Sequence, residues 1–429
     1  MFNYFKQKLN SQVLLFCIMM IITTFVFWNN SKNNFLCGSE SLTVSMVAAG
    51  RYNFDIGNRI YGLGFIGITD VTDITDLLER ASYVVERSYN VYANPELYNN
   101  YISEYLSQIG LQGWIFYWLA RLGVPRPVAA FRLGCCLALA IVLVLICFEL
   151  YKKYGLLFSS VFYIVSVSSS WLTNFAPDLY WVTFTWFIPM LLGLFCLNNL
   201  NKRIWLYPLF FFAIFIKAAC GYEYMTVVML SSIMFLVVEW ICLIRKDKKQ
   251  SMLLFKTIFL IGIMSLLGFV TAISIHAYMR GDGNILNGLN DIYQHNMLPR
   301  TFGNVAENAS ILDVLIIYFR RGGGTGTLAR CLLIIGVFIL FYKHTIKRQP
   351  INKEFWLFAT SFLTCISWFI LGKNHSYIHT QMNYVLWHMG FIQVGVYTLL
   401  KNVLQFSDKG RILFRNFFER LLMESYRDL

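Results

Sequence analysis

The chain has 429 residues, 57% of them hydrophobic and 14% charged, with a formal net charge of +13. A soluble domain carries about 25% charged residues, so this composition argues against a soluble fold, and the mean hydropathy is +0.55. A basic excess in a soluble chain would suggest nucleic acid. Here Lys and Arg fall mostly in short loops between apolar segments, which reads as membrane topology and not as a nucleic-acid surface.

Ten apolar segments are predicted in chain order, over 12–28, 127–148, 155–172, 180–198, 204–220, 224–244, 254–277, 328–342, 354–371 and 384–401. Each is long enough, or nearly so, for a hydrocarbon core of about 30 Å. Residues 12–28 follow Lys6 and Lys8 as a signal sequence would, but Asn29, Asn30 and Ser31 offer no small-residue cleavage site, so an uncleaved first helix is expected. The fold class is therefore an all-α polytopic membrane protein. A single multispanning domain is expected over 1–403, with a basic tail over 404–429.

The basic groups Lys6/Lys8, Lys152/Lys153, Lys202/Arg203, the run from Arg245 to Lys249, the run from Lys343 to Lys353, and the tail all fall on one side of a ten-span threading. By the positive-inside rule that side, with both termini, is cytoplasmic. Two large external loops result, about 29–126 and 278–327. The first holds a Gly-rich stretch, an amphipathic stretch from Ile74 to Val91, and an apolar patch over 111–122 with Trp114, Tyr117 and Trp118, which suits an interfacial helix. Of the 10 Cys, most lie in apolar runs, and Cys37 and Cys220 are the pair that a disulfide on the outer side would join.

Ionisable groups are costly at membrane depth and mark functional sites when they cluster. Asp178, Lys217, Glu223, Lys373, His375 and His379 all fall at or just beyond the outer ends of predicted helices. In the first loop, Glu40 and Asp55 are candidate general bases for an acceptor hydroxyl; the bland alternative is a solvated acid or, for Glu40, a helix cap. Asp178 follows Pro177 in a tight turn, where an acid at a helix N-terminus is also expected on structural grounds alone. Lys217 and Glu223 flank Gly221, either as a structural ion pair or as phosphate and sugar contacts. Arg320 and Arg321 precede three glycines and suit bidentate contact with phosphate oxygens, or a flexible hinge. His375 and His379 share an i, i+4 spacing, but no third ligand is identifiable, so phosphate contacts are favoured over a divalent metal and no cofactor is expected.

Together these features resemble the GT-C-type membrane glycosyltransferases that use polyprenyl-phosphate-linked sugars. The shared plan is a cytoplasmic N-terminus, one helix, then a long external loop with an acidic residue and interfacial helices. The runs Tyr105–Gly113, Leu179-Tyr180-Trp181 and His375–His379 look like those of bacterial membrane proteins from surface-polysaccharide loci. The resemblance implies transfer of a sugar from a polyprenyl-phosphate donor to a glycan or lipid-linked acceptor, at the outer face of a bacterial inner membrane. The first loop lacks an acidic pair near its start: Glu40 and Asp55 lie fifteen residues apart. An O-antigen-type polysaccharide polymerase, its site carried by Arg280, Arg300, Arg320 and Arg321, is the main alternative. A lipid-linked sugar flippase or transporter is less favoured, because no mid-membrane charges or inverted repeat are evident.

Overall fold

A computed structural model describes residues 2–29, 37–53, 66–68, 86, 90, 92–94, 102–301, 309–320, 324–348 and 350–406. Asp55, Arg321, nearly all of the Ile74–Val91 stretch and almost the whole tail lie outside them. The described chain is helical apart from one minimal antiparallel pair, β1 (Ile66–Ile68) with β2 (Ile102–Glu104).

The helices of the bundle are α1 (Phe2–Asn29), α2 (Cys37–Arg51), α3 (Leu111–Arg121), α4 (Pro127–Tyr154), α5 (Leu156–Val167), α6 (Ser170–Phe175), α7 (Phe184–Asn198), α8 (Tyr207–Cys220), α9 (Met225–Leu243) and α10 (Lys248–Arg280). They continue as α11 (Ile285–Ile292), α12 (Ile311–Arg320), α13 (Thr325–Phe341), α14 (Lys353–Leu371), α15 (Lys373–Ile378) and α16 (Phe391–Phe406). Among the described residues, seven helical segments are long and apolar enough to cross a membrane, and α5 and α7 are shorter apolar helices.

Local chemistry accounts for most boundaries. Asp247 caps α10 by accepting from the Gln250 N–H, and Asn352 caps α14 through the Phe355 N–H. Ser310 and Asp313 form a reciprocal box at the start of α12, with bonds of 3.1 and 3.2 Å. Three predicted spans are broken or shortened. The segment expected over 155–172 splits into α5 and α6, where the Ser169 hydroxyl caps Leu172. The one expected from 180 starts only at Phe184, because Asp178 Oδ1 accepts from the Tyr180 and Trp181 N–H groups and Val182 takes a positive φ of 39°. The last, expected from 384, opens as a 3₁₀ turn over Tyr384–His388 and becomes α-helical only after Gly390, whose φ is +125°.

The ends of the bundle differ in chemistry. At one end buried carboxylates are neutralised by lysines: Glu239 by Lys153 at 3.5 Å and by Lys353, and Glu354 by Lys343 at 3.2 Å and Lys401 at 3.3 Å. These contacts tie together the ends of α4, α9 and α16, the start of α14 and the π-turn after α13. The helices run back from that end, so the start of α4, the end of α8, the start of α9 and the end of α10 meet at the other.

Candidate functional site

Helix α2 carries the first candidate. Residues from Glu40 to Gly50 are buried, apart from the half-buried Leu42. Glu40 is only 2% exposed, so it is not a solvated loop acid. A buried carboxylate needs a partner and hydrogen bonds. Arg132, in the second turn of α4, supplies both: its Nε donates to Glu40 Oε1 at 3.0 Å and its Nη2 pairs with Oε2. The Leu179 N–H adds a third donor to Oε1 at 3.3 Å.

That bond brings the Asp178 turn beside Glu40. Asp178 is 5% exposed. Burial pushes its carboxyl well above the ordinary carboxylate range, and the Glu40 charge pushes it further; the Trp181 and Tyr180 N–H groups and Arg132 oppose this. Two carboxyls and one guanidinium therefore share a desolvated site in which one acid is driven toward its protonated form.

The first turn of α3 and the segment before it lock this end together. Gln112 donates to the Tyr180 carbonyl at 2.7 Å and to the Cys220 carbonyl at 2.8 Å, bridging the Asp178 turn and the end of α8. His276 and Arg280 at the end of α10 both reach the Leu106 carbonyl, at 3.1 and 2.8 Å. Arg280 also binds Asn296 at 2.7 Å and pairs with Asp291.

Lys217 is 2% exposed, and its ammonium donates to the Gly221 carbonyl at 2.6 Å, closing the turn into α9. Glu223 packs on the same turn: a Cβ at Gly221 would lie 2.7 Å from Glu223 Oε2 and 2.8 Å from Gln108 Oε1, so a side chain there would displace both polar ends. Cys220 is a free buried thiol, so the Cys37–Cys220 disulfide is not formed.

Lys373, His375 and His379 belong to a neighbouring cluster that holds the second long connection in place. Lys373 donates to the Ala309 carbonyl at 3.1 Å, and Tyr318 donates to the Ser376 carbonyl at 2.6 Å. The His375 and His379 rings are 4.7 Å apart, yet no group of three His, Cys, Asp or Glu able to hold a metal occurs among the described residues. A ring chain joins the two clusters: Trp181 stacks on Tyr224 at 5.5 Å, Tyr224 meets Trp368 at 5.8 Å, and Trp368 meets His375 at 5.7 Å. Arg320 ends α12 and is exposed.

The structure thus brings Glu40 to Asp178, and Lys217 to Glu223, at one end of the bundle. Lys217 and Lys373 are spent on backbone carbonyls and Arg280 on a loop. Sequence reasoning missed Arg132, although a lone Arg near the start of an otherwise apolar 22-residue run, 127–148, is itself a signal. It also missed Gln108 and Gln112, which lie in a run it had singled out. Comparison with family models, with curated proteins and with solved structures finds no match.

Proposed function

We propose that this chain is a membrane glycosyltransferase that moves a sugar from a polyprenyl-phosphate-linked donor to a surface-glycan or lipid-linked acceptor. The observation that carries the reading is the buried Glu40–Arg132–Asp178 group at the bundle end opposite the lysine-rich one. In a ten-span threading with both termini cytoplasmic, that end faces outward.

The acceptor hydroxyl attacks the anomeric carbon of the donor sugar. The bond from that carbon to the phosphate oxygen breaks, and the polyprenyl phosphate leaves with the bonding pair. Glu40 takes the hydroxyl proton, and positive charge near the leaving phosphate stabilises the transition state. Arg132 links the two halves of this chemistry: an anion that draws its guanidinium away leaves the Glu40 carboxylate with one fewer partner. Asp55 is the alternative base.

The test is sugar transfer by purified protein supplied with a polyprenyl-phosphate sugar. Glu40→Gln should lower turnover about a hundredfold or more, the usual range for losing a general base, while leaving the protein inserted and monodisperse. Wild-type turnover in both Glu40→Gln and Asp55→Asn would sink the reading.

A further inference from the structure

A cavity of about 350 Å³ opens beside Arg132, the partner of Glu40, within the size range of small-molecule sites. Three arginines line it: Arg51 at the end of α2, Arg126 immediately before α4, and Arg132 within α4. No carboxylate is among its described lining residues. Glu40 balances Arg132 from behind, whereas Arg51 lies over the Tyr92 ring at 4.8 Å and Arg126 is exposed, its guanidinium without a hydrogen-bond partner among the described residues.

The backbone adds to the positive field. Arg126 is the N-cap of the 28-residue α4 and provides no side-chain cap. The first-turn N–H groups of Val128 and Ala129, which also line the cavity, therefore carry the positive end of the helix dipole. Arg51 and Arg126 repel one another with no acid among the described lining residues, and a bound anion offsets that repulsion. Guanidinium groups and free helix N–H groups together match phosphate geometry. Trp28, next to the end of α1, forms one wall. Phe25, Ile22 and Ile21 just before it are exposed, which puts the cavity at the depth where an apolar membrane-facing helix ends.

From this convergence we infer that the cavity is a phosphate-binding site, and that its ligand is a phosphomonoester such as a lipid headgroup presents. The inference goes beyond the proposed reaction, and holds whether or not the chain transfers sugars.

The full-length protein is tested in detergent with phosphatidic acid against phosphatidylcholine, read by native mass spectrometry, and with inorganic phosphate, read by calorimetry. Retention of phosphatidic acid over phosphatidylcholine is expected. Arg51→Gln and Arg126→Gln should each weaken it about tenfold, as loss of a charge-assisted bond does. Arg121→Gln should not, since Arg121 lies outside the cavity over the Trp118 ring at 5.4 Å. Inorganic phosphate bound with the same arginine dependence supports a free-phosphate ligand, and binding of the lipid alone supports the headgroup. Unchanged binding in both cavity variants, or equal loss in Arg121→Gln, overturns the site. The assay reads binding without turnover, so its failure is distinct from failure of the glycosyltransferase reading.

Discussion

Removing one partner of the Glu40–Arg132 pair leaves the other charge buried, which is far more destabilising than removing both. Arg132→Leu should therefore lower stability by about 3 kcal/mol, the modest end of the range because the Arg132 side chain keeps 16% exposure. The double variant Glu40→Gln/Arg132→Leu should recover much of that loss, as read by thermal unfolding in detergent; losses that add up from the Glu40→Gln and Arg132→Leu single variants would show that the two groups are not coupled. Asp178 gives a pH signature. Its folded carboxyl titrates above the ordinary carboxylate value, so the folded state binds more protons than the unfolded one over the interval between the two. The stability it contributes is present at acid pH and is lost as pH rises from about 4, the usual unfolded value, through the raised folded one. Asp178→Asn keeps an oxygen for the Tyr180 and Trp181 N–H groups while removing the charge. The variant should gain stability over the wild type as pH rises through that window, and parallel pH curves for the two proteins would contradict this.

Among the elements, the packing of α7 on α9 depends on one residue without a side chain. A Cβ at Gly193 would stand 1.9 Å from the Ser232 carbonyl oxygen, a backbone atom that cannot step aside. Small residues at such crossings allow the close approach by which helices associate in a membrane. Gly193→Leu should force α7 and α9 apart and yield aggregated or polydisperse protein in detergent size-exclusion. Gly262→Leu, on an exposed stretch of α10 with nothing within 4 Å of its Cβ, should elute as the wild type does. The same contrast separates helix boundaries that are chemical from those that are positional. The starts of α10 and α14 follow from Asp247 and Asn352 side chains bonding three residues onward, whereas the late start of α7 combines the local Asp178 bonds with long-range ones, from the Leu179 N–H to Glu40 and from Gln112 to the Tyr180 carbonyl.

At the scale of the molecule, the Glu239 and Glu354 ion pairs gather the lysine-bearing helix ends, and the Gln112, His276 and Arg280 bonds gather the opposite ones. Such sidedness is what a bilayer imposes on a multispanning chain. Reporter fusions after Asn94 and within the Lys248 connection should therefore report opposite sides of the membrane. Identical readouts would refute the threading and with it the outward location of the Glu40 site.

Hydropathy and loop charge made the helical membrane class and most of the apolar segments legible, because lipid forces backbone groups to be satisfied within each segment and thus makes the signal local. The candidate residues Glu40, Asp178, Lys217 and Glu223 were legible for a related reason: ionisable groups stand out where few are tolerated. Their partners were not. That Glu40 meets Arg132 rather than Lys217 depends on α2 and α4 lying side by side, across 92 positions of sequence. That Lys217 and Lys373 hold carbonyls while Arg51, Arg126 and Arg132 surround a cavity depends on which helix ends converge. Sequence by itself determined which groups would be costly to bury. Only the tertiary structure decided which of them neutralise one another and which stay available to an anion, because charge pairing acts through distances that packing alone sets.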